Sequence, residues 1–296
     1  MTREAIRPSD LRRLCGLLDI DVGALRVRPL SGGLTNRSFR FDHGGHSWAV
    51  RLPFESRAHR LHTLDAATEA RVLGAVARAG LAPHVVLHDA ASGALVTEYL
   101  HGAKPWCVEQ ARRAENVRRI AAVLRSLHAV ELAPGLRPFR PVELSEAYIE
   151  SARRQDSGRA RFSDEERSWA RQLRRLAVEY GASFPPAVLC HHDLVAANIL
   201  DAGRLWLVDF EYALQAHPIL DLASVAGMNG YDAHQCEWLL GAYFDAGPVA
   251  FRAEQLRAAI RLERLLSYFW AISQRGDSAE PNGMSRFADA MAAMLR

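Results

Sequence analysis

Hydrophobic and polar positions follow two different patterns along this chain, and the change falls near residue 100. Before that point, short apolar runs between turn residues predict strands at 38–42, 47–52, 85–87 and 94–100 and helices at 9–19 and 68–80. Beyond it, apolar residues at i, i+3 and i+4 predict helices at 115–130, 164–180, 234–244 and 253–274. A short β island interrupts this helical part at 188–190, 199–200 and 205–208.

These patterns predict an α+β fold in two lobes. A small N-terminal lobe, residues 1–100, contains an antiparallel sheet, and a larger, mainly helical C-terminal lobe, residues 101–296, contains the β island. Folds of this kind often bind their ligands between the two parts.

Composition narrows the possible functions. The 296 residues are 49% hydrophobic and 24% charged, with a formal net charge of +3, as in an ordinary globular protein. No apolar run reaches the roughly 18–20 residues of a membrane span, and the polar first residues do not resemble a secretory signal. The cysteines show no C-x-x-C spacing, and the arginines are dispersed on helical faces, so we expect a cytoplasmic protein without nucleic-acid or membrane partners. The sequence leaves its oligomeric state open.

Lys104 is the single lysine of the chain, and no Gly-Lys-Ser/Thr triplet is present. A Walker A phosphate loop is therefore excluded. Any phosphate chemistry would have to use arginine, metal ions or backbone amides.

The segment 189–212, LCHHDLVAANILDAGRLWLVDFEY, combines acids with short apolar strands. Buried acids need partners, and a metal ion is an obvious one for Asn198 and Asp209. Their carboxamide and carboxylate oxygens are hard ligands that suit Mg²⁺, which takes further ligands from water and phosphates. Asp193, five residues before Asn198, is then placed to accept a hydroxyl proton.

The spacing supports this interpretation. His191, Asp193, Asn198 and Asp209 reproduce the order H-x-D-x-x-x-x-N, hairpin, Asp of the phosphoryl-transfer template. A polar hairpin with ordinary turn acids is the alternative, but it would require neither the spacing nor the apolar flanks.

At this point the sequence resembles the aminoglycoside phosphotransferase / choline kinase superfamily, which has a protein-kinase-like fold. It is most similar to bacterial choline/ethanolamine kinase-like and thiamine kinase-like proteins. The resemblance extends from about residue 30 to 275 and includes LSGGLTNRSFRF (30–41), WAVRLP (48–53), LVTEYLHG (95–102), HPILDLAS (217–224) and RLERLLSYFWAISQRG (261–276).

The resemblance implies that ATP and Mg²⁺ are the cofactors. The phosphates of ATP would be contacted by a glycine-rich segment that includes Ser31, Gly32, Gly33, Thr35 and Asn36. A simple glycine-rich turn is the alternative.

Further implied roles concern the nucleotide and the catalytic loop. Arg51 stands where protein kinases have the phosphate-binding lysine, with Glu69 as its ion-pair partner; a surface arginine and an exposed helix acid are the alternatives. The backbone around Glu98 and Leu100 would bind adenine. Asp221 would brace the catalytic loop, as would His191, while His128 reads as a core histidine and His192 has no assigned role.

The resemblance places the acceptor pocket in the helical part. Glu211 could bind a second metal or a cationic substrate, and Tyr268 and Trp270 offer aromatic faces for an ammonium or thiazolium. Core packing of these rings and a surface role for Glu211 are the alternatives. Choline kinases tend to have two tryptophans one turn apart here, but Ser267 replaces the first.

We therefore expect a small-molecule kinase that phosphorylates the hydroxyl of a small cationic alcohol such as choline, ethanolamine or thiamine. A non-catalytic, pseudokinase-like nucleotide-binding module is a second hypothesis. Aminoglycoside phosphorylation is a third, although arginines crowd the late helices where an acid-rich surface would suit a polycation.

Overall fold

The computed structural model describes residues 6–30, 35–53, 63–155, 162–245, 247, 253–275 and 281–296. The strands are β1 (Arg26–Pro29), β2 (Asn36–His43), β3 (His46–Pro53), β4 (Val85–Asp89), β5 (Ala94–Glu98), β6 (Lys104–Pro105), β7 (Val188–Cys190), β8 (Ile199–Asp201), β9 (Leu205–Leu207) and β10 (Leu214–Ala216). The helices are α1 (Pro8–Leu18), α2 (Ala66–Arg78), α3 (Val108–Ala111), α4 (Ala114–His128), α5 (Pro141–Gln155), α6 (Asp164–Ser183), α7 (Ile219–Met228), α8 (Ala233–Phe244), α9 (Ala253–Gln274) and α10 (Pro281–Leu295).

The first part of the chain forms an antiparallel sheet in the order β1-β2-β3-β5-β4. Strands β2 and β3 form a hairpin whose last pair is His43 and His46, and the two turn residues, Gly44 and Gly45, have φ values of 57° and 83°. A two-residue turn with positive φ at both positions matches the twist of the strands, and glycine adopts it without steric cost. Leu14 of α1 packs on one face of this sheet.

Two small sheets lie within the helical part and hold the segment between 190 and 214. Strand β7 pairs with β10, and β8 pairs with both β6 and β9. The loop between β7 and β8 is therefore fixed at both ends by antiparallel pairing. The residues that follow β9 are fixed in the same way by β10.

Helix α9 is central to the helical part and packs against α5, α6, α7 and α10. Helix α6 starts with a capping box, in which Ser163 accepts from the N–H of Glu166 and Glu166 accepts from the N–H of Ser163. No helix among the described residues is long and apolar enough to cross a membrane.

The structure confirms the α+β class, with an antiparallel sheet first and helices after it. It also contains elements that the sequence patterns did not reveal: β1, β6, β10, α3, α5, α7 and α10. Nearly every residue of α7 is buried, so this helix has no polar face to produce a 3.6-residue period. The lobe boundary at residue 100 remains a prediction.

Candidate active site

Asp193 lies in the loop between β7 and β8, beside a cavity of about 640 Å³ that it helps to line. The side-chain amide of Asn198 donates to both the backbone oxygen and Oδ2 of Asp193, at 2.9 and 2.8 Å. Burial, together with the nearby carboxylates of Asp209 and Glu211, raises the pKa of Asp193 to about 7. A carboxylate held this way is oriented to accept a proton from a group in the cavity.

The backbone of this loop is anchored on Asp221, which is fully buried in α7. Asp221 accepts hydrogen bonds from the backbone N–H groups of His191 and His192, both at 2.9 Å. His128 Nε2 lies 3.1 Å from Oδ2 of Asp221, and the Tyr243 hydroxyl lies 2.7 Å from His128 Nδ1. These contacts connect α8 to the catalytic loop. The His128 side chain is 4% exposed, as expected of a core histidine, and it also contacts Asp221.

His191 does not line the cavity and acts within the fold. Its Nε2 donates to the backbone oxygen of Val208 at 2.9 Å, while its Nδ1 accepts from the N–H of Asp193 at 3.2 Å. Burial lowers the pKa of His191, which agrees with a neutral ring that has one donor and one acceptor nitrogen. The imidazole thereby joins the loop before Asn198 to the strand that leads to Asp209.

Asn198 and Asp209, the predicted metal ligands, both line the cavity. Because the amide nitrogen of Asn198 is used by Asp193, its oxygen Oδ1 is available as a ligand. Asp209 has a φ of 70°, in the left-handed region that aspartate tolerates better than most residues. The two oxygen donors fit the chemistry of Mg²⁺, which prefers carboxylate and carbonyl ligands.

Arg51 connects β3 to the catalytic segment. Its guanidinium pairs with Glu69 of α2 and, at 2.5 Å, with Oδ1 of Asp209. Glu69 is only 1% exposed, so the alternative of an exposed helix acid does not describe it. Burial opposes the charge on Arg51, but the surrounding carboxylates, led by Glu69, raise the pKa of Arg51 overall.

Glu211 connects the glycine-rich segment to the segment that contains Asp209. It is buried and accepts hydrogen bonds from the Thr35 hydroxyl at 2.9 Å and from the Asn36 side chain at 3.2 Å. Its carboxylate is thus directed at the segment predicted to bind phosphate. The other predicted residues of that segment, Ser31, Gly32 and Gly33, lie outside the described residues.

The predicted adenine-binding stretch lies where β5 ends and the chain enters the helical part. The N–H of Glu98 donates to the backbone oxygen of His84 at 2.9 Å, and the backbone oxygen of Leu100 accepts from the N–H of Ala103 at 3.2 Å. Among the described residues, the N–H of Leu100 has no hydrogen-bond partner. The stretch therefore retains a backbone donor of the kind that the prediction requires.

Aromatic side chains form one wall of the cavity. Trp270 meets Tyr212 edge-on at a centroid distance of 6.1 Å and Phe287 at 5.7 Å, and all three line the cavity. The sequence interpretation named Trp270 but missed Tyr212 and Phe287. Tyr212 ends the segment 189–212, directly after Glu211, whereas nothing in the sequence places α10 beside the site.

The structure does not bring Tyr268 to this wall. Its hydroxyl donates to Glu166 at 2.9 Å, and its ring packs edge-on against Trp169 at 4.8 Å. Residues two apart on a helix project about 200° from each other, so Tyr268 and Trp270 face opposite sides of α9. This geometry removes Tyr268 from the set of side chains that can touch an acceptor in the cavity.

Comparison with known proteins assigns the chain to a family. Residues 26–261 match the phosphotransferase enzyme family (APH). The match covers well over half of the chain, so the chain belongs to this family, and it is a small-molecule phosphotransferase with a protein-kinase-like fold.

Three relatives illustrate the similarity. A choline/ethanolamine kinase family protein from Mesorhizobium loti is 26% identical and superposes with a TM-score of 0.77, covering 97% of this chain and 92% of that one. The choline kinase LicA from Streptococcus pneumoniae is 20% identical, with a TM-score of 0.75 and 97% of each chain covered. Protein LicA from Haemophilus influenzae is 24% identical over 222 residues, which are 72% of this chain but only 61% of that protein.

Proposed function

We propose that this protein transfers the γ-phosphoryl group of ATP, in a Mg²⁺-dependent reaction, to the hydroxyl of a small cationic alcohol. Choline, ethanolamine and thiamine are the acceptors that we test first. The observation that supports the proposal is one cavity lined by Asp193, Asn198, Asp209 and the aromatic ring of Trp270. The similarity to choline and choline/ethanolamine kinases supports the same class of acceptor.

The residues would divide the work as follows. Asp193 would accept the proton of the acceptor hydroxyl as that oxygen bonds to the γ-phosphorus and the bond from this phosphorus to the departing ADP oxygen breaks. Asn198 and Asp209 would hold Mg²⁺, which would supply charge stabilisation to the phosphates. Arg51, oriented by Glu69, provides a fixed cation for the phosphate groups, and the backbone near Glu98 and Leu100 binds adenine.

The cavity also suits a cationic acceptor. The faces of Trp270 and Tyr212 attract a cation by about 0.5–2 kcal/mol for each ring. ATP and Mg²⁺ are cytoplasmic reagents, so we propose that the protein acts in the cytoplasm.

The test is an ADP-release screen with purified protein, ATP and Mg²⁺ over choline, ethanolamine, thiamine, neutral sugars and aminoglycosides. We expect turnover with at least one of the first three acceptors and none in the presence of EDTA. Asp193→Asn serves as the matched inactive variant. Turnover with neutral sugars or aminoglycosides alone would contradict the proposed acceptor class, and ATP binding without turnover on any alcohol would support a non-catalytic module instead.

A further inference from the structure

The cavity beside Asp193 is also lined by a buried carboxylate, that of Glu263, to which the proposed phosphoryl transfer gives no role. Glu263 lies on α9, is 3% exposed and lines the cavity. Its Oε1 atom has no hydrogen-bond partner among the described residues. Ser267 and Trp270 follow it by four and seven residues and also line the cavity, so this face of α9 forms one continuous part of the wall.

The charge of Glu263 is only partly compensated by the protein. Within the described part of the chain, the basic group that contacts it is His192, whose Nε2 lies 3.3 Å from Oε1 without forming a hydrogen bond. The neighbouring arginines of α9 are directed elsewhere, since Arg261 donates to the backbone oxygen of Leu295 and Arg264 to those of Gly227 and Met294.

His192 is itself held in place by the catalytic loop. Its φ of 63° is unusual for a residue other than glycine, and its ring packs edge-on against Phe139 at 5.3 Å. Burial opposes a charge on the ring, but Glu263 and nearby aspartates raise the pKa of His192 overall. The imidazole thus stays beside one oxygen of Glu263, while a carboxylate can accept about four hydrogen bonds.

A buried carboxylate with one oxygen that accepts no hydrogen bond favours a ligand that brings both a positive charge and a hydrogen-bond donor. A protonated amine brings both. A quaternary ammonium brings charge alone, because it has no N–H, and it relies on aromatic faces for its binding. Ser267 lies on the face of α9 that lines the cavity, one turn before Trp270. Because serine has no aromatic ring, the cavity wall offers less aromatic surface at this position.

We propose that Glu263 selects, among small cationic alcohols, those whose nitrogen carries at least one N–H. This inference rests on the proposed function, because it assumes that the acceptor hydroxyl lies at Asp193 and its cation in the same cavity. Glu263 is then a specificity-determining residue.

The experiment uses a series of acceptors that differ only in nitrogen methylation: ethanolamine, its N-methyl and N,N-dimethyl derivatives, and choline. ADP release gives kcat/KM, and calorimetry gives the affinity of each amino alcohol. The variants are Glu263→Gln, which removes the charge at constant size, and Glu263→Asp, which keeps the charge. Glu237→Gln, an exposed acid of α8, is the matched control, and thermal unfolding of each variant checks that it is folded.

In the unmodified protein, we expect kcat/KM to fall about 10-fold or more at the step from the dimethyl compound to choline, the loss of one charge-assisted hydrogen bond. Glu263→Gln should lower the ratio of kcat/KM for ethanolamine to kcat/KM for choline about 10-fold or more, mainly through KM. Glu263→Asp and Glu237→Gln should preserve the preference for acceptors that carry an N–H.

Equal kcat/KM for choline and ethanolamine in the unmodified protein, or an unchanged ratio in Glu263→Gln, would overturn the inference and leave the proposed function standing. Selective binding of ethanolamine without any transfer would instead overturn the proposed function and support the role of Glu263. Binding of no member of the series would overturn both.

Discussion

Nη1 of Arg51 lies 2.5 Å from Oδ1 of Asp209, which joins the sheet of the first part of the chain directly to a predicted metal ligand in the second. The same guanidinium pairs with Glu69 of α2. One cation therefore bridges two largely buried carboxylates from different elements. The guanidinium of Arg51 is planar and has several N–H donors, so it can contact both carboxylates at once. The single ammonium group of a lysine does not have this geometry.

This bridge predicts the effects of changing Arg51. Arg51→Ala leaves two carboxylates without their cation, so we expect the unfolding free energy to fall by about 3–5 kcal/mol and ATP affinity to fall at least about 10-fold. Arg51→Lys should retain part of the ATP affinity. Calorimetry with ATP and denaturant unfolding measure both effects, with Arg28→Ala as a control at an exposed position. Normal ATP binding by Arg51→Ala would show that the phosphate site lies elsewhere.

Asp193 gives a prediction that separates chemistry from binding. Asp193→Asn keeps the size of the side chain but removes the base, so we expect kcat to fall by about 10²–10⁴. ATP affinity should remain within about threefold, since Asp193 contacts Asn198 rather than the predicted nucleotide residues. Steady-state ADP release and calorimetry provide the two readouts. Unchanged turnover would remove Asp193 from the mechanism.

The sequence revealed the parts of the site that are close together along the chain. His191, Asp193 and Asn198 lie between β7 and β8, and these flanking strands are visible in the sequence as short apolar runs. The acceptor side was less predictable, because its wall combines residues from distant elements. Glu263 appears in the sequence only as an acid within an apolar helix, and its burial follows from the packing of α9 against α5 and α7.

The position of Tyr268 away from the cavity follows from helical geometry. Tyr268 and Trp270 are close in sequence, but helical geometry separates residues two positions apart. Glu263 and the residues four and seven positions after it, Ser267 and Trp270, share the face of α9 that lines the cavity. The burial of Glu69, by contrast, agrees with the ion pair that the resemblance implied.

The hydrogen bond between His128 and Asp221 predicts a positioning role for a residue far from the acceptor. His128→Leu removes the group next to a fully buried carboxylate, so we expect the unfolding free energy to fall by about 1.5–3 kcal/mol. It should also lower kcat, because Asp221 holds the backbone of His191 and His192. His128→Gln, whose amide can donate in place of Nε2, should recover much of the turnover.

Both variants are compared at temperatures where they are fully folded. A loss of stability in His128→Leu with unchanged kcat would show that His128 supports the core alone. Tyr243→Phe removes only the hydroxyl at His128 Nδ1 and should have a smaller effect of the same kind.

The ion pair between Asp201 and Arg119 predicts how stability depends on pH. Two N–H groups of Arg119 donate to Asp201 at 2.6 and 2.8 Å, and this contact with Arg119, aided by Trp106, lowers the pKa of Asp201 to about 2. Because the folded-state pKa lies below the unfolded value of about 3.9, the stabilisation is complete above about pH 4 and is lost as the pH falls towards 2. At neutral pH, Asp201→Asn should therefore cost about 1–2 kcal/mol after allowance for solvent screening. Denaturant unfolding between pH 7 and pH 3 should show this difference shrinking in acid, and a constant difference across the range would mean that the ion pair is not its cause.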